Sequence, residues 1–174
     1  MKDISAVLTG EEIIALMGSA LPLVENMPDM KTQVQPNGID LTVKEIARLD
    51  SPGVIAEDNR DRVISKTAPV LFDESGAADL LPGCYVITCN EIVNIPGNLM
   101  AIAHPRSSLL RCGVSVHNAV WDAGYSGRSQ ALMVVHNPAG FRIYKNARFI
   151  QLIFLRLSRE VKEGYKGIFQ GENK

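Results

Sequence analysis

The sequence predicts an all-β domain, a sandwich or barrel preceded by one short helix. From Ile39 onward the apolar residues fall in short or alternating runs, separated by clusters of glycine, proline, asparagine and aspartate. These runs lack the length and period of helices that would connect parallel strands. The chain has 174 residues, of which 46% are hydrophobic, so it can bury a full core. We therefore expect a single domain over residues 1–174.

The first predicted element is a helix that begins after Thr9. Thr9 and Glu12 have the spacing of a capping box, in which each side chain satisfies a backbone N–H group at the helix start. Apolar residues at helical spacing follow, and Gly18 ends the run. Two prolines in the next stretch favour an extended lead-in. Residues 1–34 are thus predicted to be this helix and its lead-in.

The strands come next, and two other segments are predicted around them. Residues 50–79 are rich in charged and small side chains, which is typical of a surface hairpin or loop excursion. Residues 160–174 are predicted to be a C-terminal arm. The predicted strands are 39–46, 70–72, 84–89, 99–103, 114–116, 131–135, 140–144 and 149–157.

Composition excludes several classes of function. A net charge of −1 gives no global basic field, so nucleic-acid binding is not expected. No stretch approaches the roughly 18 apolar residues of a membrane span, and there is no charged-then-apolar leader. Three cysteines without disulfide or zinc-ligand spacing indicate a reducing compartment. We expect a cytoplasmic protein without a membrane or nucleic-acid partner.

Asp122 is the acid that the sequence singles out. No other carboxylate occurs before Glu160, although six basic side chains lie between them. A lone acid near basic groups suits activation of water for attack on a polyphosphate. The glycines at 124 and 127 equally permit an ordinary β-turn with Asp at its first position. Upstream, Asn118 is either a reader of a base edge or a turn residue.

A second candidate site follows Pro105, which ends a predicted strand. Arg106, Ser107 and Ser108 come next. Consecutive N–H groups, two hydroxyls and a guanidinium can form an anion-binding nest at the start of a helix. The alternative is a serine-rich helix cap with a surface arginine.

Polar residues also interrupt the last predicted strand and mark the arm. Arg148 and Gln151 lie in an otherwise apolar run, where buried polar groups need partners. They either reach a site or an ion pair, or face solvent on an edge strand. In the arm, glycines flank Tyr165 and Phe169. Such aromatic side chains either dock locally or close over a flat ligand.

Taken in order, these motifs resemble the trimeric dUTPase and dCTP deaminase superfamily. The resemblance covers residues 35–170, and its pattern is nearest to archaeal-type dUTPases built on a dCTP-deaminase-like chain. It implies a distorted, jelly-roll-like β-barrel and a homotrimer with sites between subunits. The motifs are Gly38-Ile39-Asp40-Leu41, Pro105-Arg106-Ser107-Ser108-Leu109, Asp122-Ala123-Gly124-Tyr125-Ser126-Gly127, Arg148-Phe149-Ile150-Gln151 and the glycine-aromatic arm.

The superfamily contains two reactions, and one strand distinguishes them. Residues 35–41 and Ser108 look like the deaminase branch, which uses a strand glutamate to convert dCTP into dUTP. That glutamate would fall about five residues beyond Gly127, but residues 128–135 contain no acid. Gln130 could occupy its place, yet an amide cannot take a proton from water at neutral pH. This favours hydrolysis of dUTP to dUMP and pyrophosphate.

The resemblance implies a role for each candidate. Asp122 would activate water for attack on the α-phosphorus, and Mg²⁺ would be held mainly by the triphosphate, without direct protein ligands. Asp40 would organise water or the metal shell, or be a buried structural acid. Arg148 would brace the 118–122 hairpin, whose backbone would read uracil. The remaining roles are phosphate binding by Arg106, Ser107, Ser108 and Gln151, and nucleoside binding by Asn118, Tyr125, Phe169 and Tyr165.

Two other functions stay open from the sequence. One is a dCTP deaminase, or a bifunctional enzyme, in which another group supplies the base. The other is a catalytically silent, nucleotide-binding regulatory protein, although Asp122 and Tyr125 are both present.

Overall fold

The computed structural model describes residues 6–174. It contains thirteen strands and three α-helices. The helices are α1 (Gly10–Met17), α2 (Met30–Gln33) and α3 (Ser107–Arg111). The strands are β1 (Val24–Glu25), β2 (Val34–Gln35), β3 (Gly38–Leu49), β4 (Thr67–Val70), β5 (Ala77–Leu80), β6 (Gly83–Cys89), β7 (Ile92–Asn94), β8 (Leu99–Pro105), β9 (Val114–His117), β10 (Ser126–Gly127), β11 (Gln130–Val135), β12 (Phe141–Tyr144) and β13 (Arg148–Arg156).

The N-terminal helix begins as its sequence predicts. The Thr9 hydroxyl accepts a hydrogen bond from the Glu12 backbone, and the Glu12 carboxylate accepts one from the Thr9 backbone. The following stretch is less extended than predicted, because Asp29 caps the one-turn helix α2 by accepting from the Lys31 N–H. Strand β1 precedes this helix.

One antiparallel sheet dominates the fold and curves into a nearly closed barrel. Its strand order is β8-β13-β3-β6-β11-β9, with β2 and β4 also paired to β3. Two smaller sheets, β1-β7-β10 and β12-β5, complete the architecture. The predicted all-β class and distorted barrel are confirmed. In the part of the chain described, no helix is long and apolar enough to cross a membrane.

Strand β13 forms the centre of the core and also carries polar residues toward the site. Its pairing with β3 shifts register between Arg148 and Ile150. Because of this bulge, Phe149 and Ile150 are both fully buried. Arg148 and Gln151 flank them and are half-buried. The irregular register thus keeps two polar side chains accessible on an otherwise apolar strand.

Several short elements differ from the prediction. The strand predicted at 70–72 is wrong: β4 runs from Thr67 to Val70, where β3 supplies partners, and Leu71 is exposed. Strands β5, β7 and β10 have only two to four residues, too few for a periodic signal. The 50–79 excursion contains an isolated bridge between Val54 and Val63. Residues 157–174 form turns and bends without helix or strand.

Candidate active site

A cavity of about 330 Å³ lies beside Asp122. The hairpin that carries Asp122 forms one wall, and the chain end forms another. Asp122 itself is exposed toward solvent at this wall. The lining residues are Ala119, Val120, Trp121, Asp122, Tyr125, Ser129, Gln130, Tyr165, Phe169 and Glu172.

Backbone hydrogen bonds fix the hairpin that presents Asp122. Trp121 and Ala101 exchange both backbone hydrogen bonds, at 2.9 and 3.0 Å. The Tyr125 N–H donates to the Asp122 carbonyl at 3.1 Å, which closes the turn. Gly124 has a φ of +86°, a conformation that a residue with a Cβ rarely adopts. The β-turn expected as an alternative is therefore present, and it holds the acid at the edge of a cavity.

A chain of buried hydrogen bonds forms the floor of this cavity. The indole N–H of Trp121 donates to the Ser129 hydroxyl at 2.6 Å, and the Tyr125 hydroxyl lies 3.0 Å from the same oxygen. Tyr125 also donates to the Glu172 carboxylate at 2.8 Å. Burial raises the pKa of the Tyr125 phenol, so it stays protonated at neutral pH. The floor is thus neutral apart from Glu172.

Glu172 is a functional candidate that sequence reasoning missed. Burial raises the pKa of its carboxyl, while the hydrogen bond from Tyr125 lowers it. Its position near the chain end gave no periodic or motif signal. Only the docking of the arm shows that this acid enters the cavity beside Tyr125 and Phe169.

The arm docks along the hairpin of its own chain. The Tyr165 N–H donates to Ala123, and the Gly171 N–H donates to Ser126, both at 2.8 Å. Gly124 and Gly164 lie so close that a Cβ on Gly164 would be 2.8 Å from the Gly124 Cα atom. The Tyr165 ring packs edge-on against Tyr125, with centroids 5.8 Å apart. The flanking glycines therefore permit a backbone contact that places aromatic rings at the cavity.

Gln130 lies at the cavity rim, at the start of β11. Its side-chain amide donates to the Thr88 hydroxyl at 3.0 Å. The carboxylates that line the cavity are Asp122 and Glu172, and neither belongs to β11. Strand β11, on which the superfamily resemblance would place a deaminase glutamate, thus presents an amide at this cavity.

The arginine cluster consists of Asp40, Arg106 and Arg148 and forms a second group. Asp40 is 2% exposed, and its Oδ2 atom lies 3.1 Å from Arg106 Nε and 3.3 Å from Arg148 Nη1. Burial raises the pKa of Asp40, and the two guanidiniums oppose this rise. The arginines remain about one third exposed. A buried acid therefore holds two cations that still face solvent.

Arg148 differs from its expected role within the chain. The resemblance implies that it braces the 118–122 hairpin; within one chain its hydrogen bonds go to Asp40 and, at 2.6 Å, to the Thr32 carbonyl. The reason is that β13 pairs with β3, which carries Asp40. The Asn118 side-chain amide donates to the Ala103 carbonyl at 3.4 Å. In the sequence Asn118 directly precedes Ala119, the first residue of the cavity lining.

The remaining candidates surround the arginine cluster. Arg106 is the N-cap residue of α3, and no side chain caps this helix, so the serine-cap alternative is wrong. Ser107 and Ser108 are exposed in its first turn. Gln151 stands opposite Asp40 on β13, with its amide 3.5 Å from the Asn37 carbonyl. These polar groups thus lie on elements that join directly to the cluster.

One chain brings the predicted residues together as two groups. Among residues 6–174, no hydrogen bond or ion pair connects the cavity lining to the arginine cluster. No group of three or more histidine, cysteine, aspartate or glutamate side chains in this range could hold a metal ion. A barrel with an exposed acid beside a buried tyrosine, and with a separate arginine cluster, defines the class that the motifs predicted: the dUTPase and dCTP deaminase superfamily.

Comparison with known proteins agrees with this class. A family profile described as dCTP deaminase-like matches residues 7–157, so the chain belongs to that family. A probable deoxyuridine 5'-triphosphate nucleotidohydrolase of Methanosarcina mazei is 50% identical over 97% of this chain and 98% of its own length. The protein of the same description from Methanococcoides burtonii is 52% identical over 95% of this chain and 98% of its own.

A solved structure supports the fold. The crystal structure of 2'-deoxycytidine 5'-triphosphate deaminase from Agrobacterium tumefaciens matches with a TM-score of 0.67 at 21% identity. The match covers 87% of this chain and 49% of that chain. At this identity the likeness shows the fold only, and the reaction has to be inferred from the residues of the site.

Proposed function

We propose that this protein hydrolyses dUTP to dUMP and pyrophosphate. Relatives that are about half identical over nearly their full length have the name of that activity. The observation in the structure that carries the proposal is the identity of the acids at the cavity. Asp122 is exposed there, whereas β11 offers the amide of Gln130. An acid is present for water activation, and the strand glutamate of a zinc-independent deaminase is missing.

In the proposed reaction, the Asp122 carboxylate positions a water molecule and accepts one of its protons. The water oxygen forms a bond to the α-phosphorus, and the bond from that phosphorus to the bridging oxygen breaks. Pyrophosphate leaves with the electron pair. Asp122 suits this role because it is exposed at the cavity and the backbone hydrogen bonds of its turn hold its position.

The cavity floor supports a nucleoside subsite. The Tyr125 hydroxyl is engaged with Ser129 and Glu172, so the ring is fixed and can contact the deoxyribose. Backbone groups of the 118–122 hairpin would read uracil, with Asn118 at its base. Phe169 is 40% exposed at the cavity and is placed to cover a base, with Tyr165 behind it.

The arginine cluster supports triphosphate binding in a neighbouring subunit's site. Arg106 and Arg148 retain exposed faces, and Ser107, Ser108 and Gln151 provide donors nearby. Because the cluster and the Asp122 cavity are separate in one chain, a complete site needs two copies, which fits a homotrimer. Sedimentation tests the assembly, and an active monomer would contradict it.

Mixed assemblies test the shared site more directly. Asp122→Asn and Arg106→Gln chains, each inactive alone, should regain part of the activity when they are co-expressed. In a mixed trimer some sites then receive Asp122 from one chain and Arg106 from another. Activity that stays at the level of the single variants would contradict the shared site.

Mg²⁺ is the proposed cofactor. Since no cluster of three acidic, histidine or cysteine ligands occurs among the described residues, the triphosphate oxygens would provide most of its ligands. When bound, the ion would neutralise charge on the phosphates. Loss of activity on chelation, and its return with Mg²⁺, would test this. We also infer a cytoplasmic location, which the three free cysteines support.

One assay separates this function from its alternatives. The protein is given dUTP or dCTP with Mg²⁺, and dUMP, pyrophosphate and ammonia are quantified. We expect dUMP and pyrophosphate from dUTP and no ammonia from dCTP. Ammonia would show a deaminase or bifunctional enzyme, and nucleotide binding without any product would show a regulatory protein.

A further inference from the structure

Glu91 is a fully buried carboxylate that the proposed reaction does not use. It lies between β6 and β7, with 0% of its surface exposed. It accepts hydrogen bonds from Gln33 Nε2 at 2.7 Å, from the Thr42 backbone N–H at 2.9 Å and from the Thr42 hydroxyl at 2.6 Å. Every one of these partners donates. Burial raises the pKa of Glu91, and the hydrogen bonds from Thr42 and Gln33 oppose this rise. Each carboxylate oxygen faces a group that can only donate, the Gln33 amide nitrogen or the Thr42 N–H, so the site favours a carboxylate over an amide.

Both partners of Glu91 lie next to the arginine cluster. The Gln33 amide that contacts Glu91 also donates to the Asp40 carbonyl at 2.8 Å. Thr42 is two residues beyond Asp40 on β3 and is paired with Arg148 across the sheet. The carbonyl of Thr32, next to Gln33, accepts a hydrogen bond from Arg148. Glu91 thus connects to the cluster through α2 and through β3.

Thr42 occupies the point where β3 is irregular on both sides. Its pairing with β13 shifts at Arg148, and the pairing of β3 with β6 shifts just after Val43. The Thr42 carbonyl accepts from the Asn90 N–H at 3.0 Å, but its own N–H donates to the Glu91 side chain. A carboxylate therefore takes the place of a strand carbonyl. Without it, a buried N–H would lack its partner and the register would be free to change.

We propose that Glu91 is a positioning residue for the triphosphate subsite. Its carboxylate holds β3 and α2 in the irregular register that sets Asp40 between Arg106 and Arg148. The inference rests on the proposed function, in which those arginines bind phosphate. It assigns a role in substrate affinity to an acid that touches no substrate.

The test is Glu91→Gln, which keeps the size of the side chain but turns an N–H donor group toward existing donors. We expect KM for dUTP and the inhibition constant of pyrophosphate to rise about tenfold, with kcat within about threefold of wild type. The matched control is Glu12→Gln, since Glu12 also accepts from a threonine N–H and hydroxyl but lies in the α1 capping box. That control should lower thermal stability and leave KM unchanged.

A double variant separates positioning from general destabilisation. If Glu91 acts through the cluster, adding Glu91→Gln to Asp40→Asn should change KM by less than about twofold. Should Glu91→Gln fail to fold, Thr42→Val, which removes the hydroxyl donor to Glu91 together with the acceptor of the Asn90 amide, is expected to raise KM about threefold. A Glu91 variant that is less stable but keeps the wild-type KM would overturn the inference. So would a double variant whose KM increase equals the product of the increases caused by Glu91→Gln and Asp40→Asn. Production of dUMP by the wild-type protein tests the proposed function independently of these variants.

Discussion

The two halves of the candidate site are built in different ways. The arginine cluster rests on β3, on β13 and on the β8–α3 junction, and its central acid is buried. The Asp122 cavity is formed by a turn and by an arm without regular structure, which backbone hydrogen bonds hold together. The proposed ligand of the cluster is phosphate, which is common to every nucleotide and can be bound by a rigid sheet. In the proposed function, discrimination of base and sugar falls to the turn and the arm, whose contacts are local and can change with little cost to the core.

The largest effect should come from the cavity. Asp122→Asn is expected to reduce kcat at least about a hundredfold while nucleotide binding changes little, because the amide keeps the shape but cannot accept a proton from water. Single-turnover kinetics and equilibrium binding measure the two quantities. Asp79→Asn, which breaks an exposed pair with Arg142, is the control and should be neutral. Near-normal turnover by the Asp122 variant would remove the acid from the mechanism.

Substitutions in the arginine cluster should change the affinity for dUTP and the stability of the fold rather than turnover. Asp40→Asn leaves two neighbouring guanidiniums without their shared partner, and we expect KM for dUTP to rise about tenfold or more. Unfolding free energy should fall by roughly 2 kcal/mol, less than for a fully buried pair because the arginines are partly exposed. Kinetics and denaturant melts check both. A change in kcat without a change in KM would contradict the division between the two regions.

Arm docking should have a smaller effect that is confined to the cavity. Gly164→Ala places a methyl group 2.8 Å from the Gly124 Cα atom, so the arm must shift. We expect KM to increase several-fold with an almost unchanged melting temperature, since the arm is largely exposed. Gly18→Ala, whose nearest atom would be 3.6 Å away, serves as the control. Equal loss of stability and affinity would mean that the arm belongs to the core.

The smallest effect concerns pH. Burial raises the pKa of Glu172 when the arm is docked. The docked arm therefore binds a proton more readily, and its docking is favoured below the ordinary carboxyl pKa and weakens as pH rises through the raised value. In the wild-type protein, KM should change about twofold between mildly acidic and neutral pH. In Glu172→Gln this dependence should disappear. A wild-type pH profile in the variant would exclude Glu172 as its source.

Prediction from sequence succeeded where a pattern extends over many residues or carries its own geometry. The capping box at Thr9 and the long apolar runs of β6, β8 and β13 are examples. It failed where neighbours in space decide the outcome. Strands β7 and β10 are two to three residues long and exist because they pair with each other. The strand pairing of β13 with β3 likewise decides that the partner of Arg148 within the chain is Asp40.

The sequence by itself determined the class of fold and, by leaving every acid out of residues 128–135, the more favourable of two reactions. These properties follow from residue type, which needs no coordinates. Only the tertiary structure decided which groups meet: Asp40 with two arginines, Glu91 with Thr42, and Glu172 with Tyr125 across 47 positions of the chain. Such contacts depend on strand register and on how distant segments of the chain pack together, and neither leaves a periodic signal in the sequence.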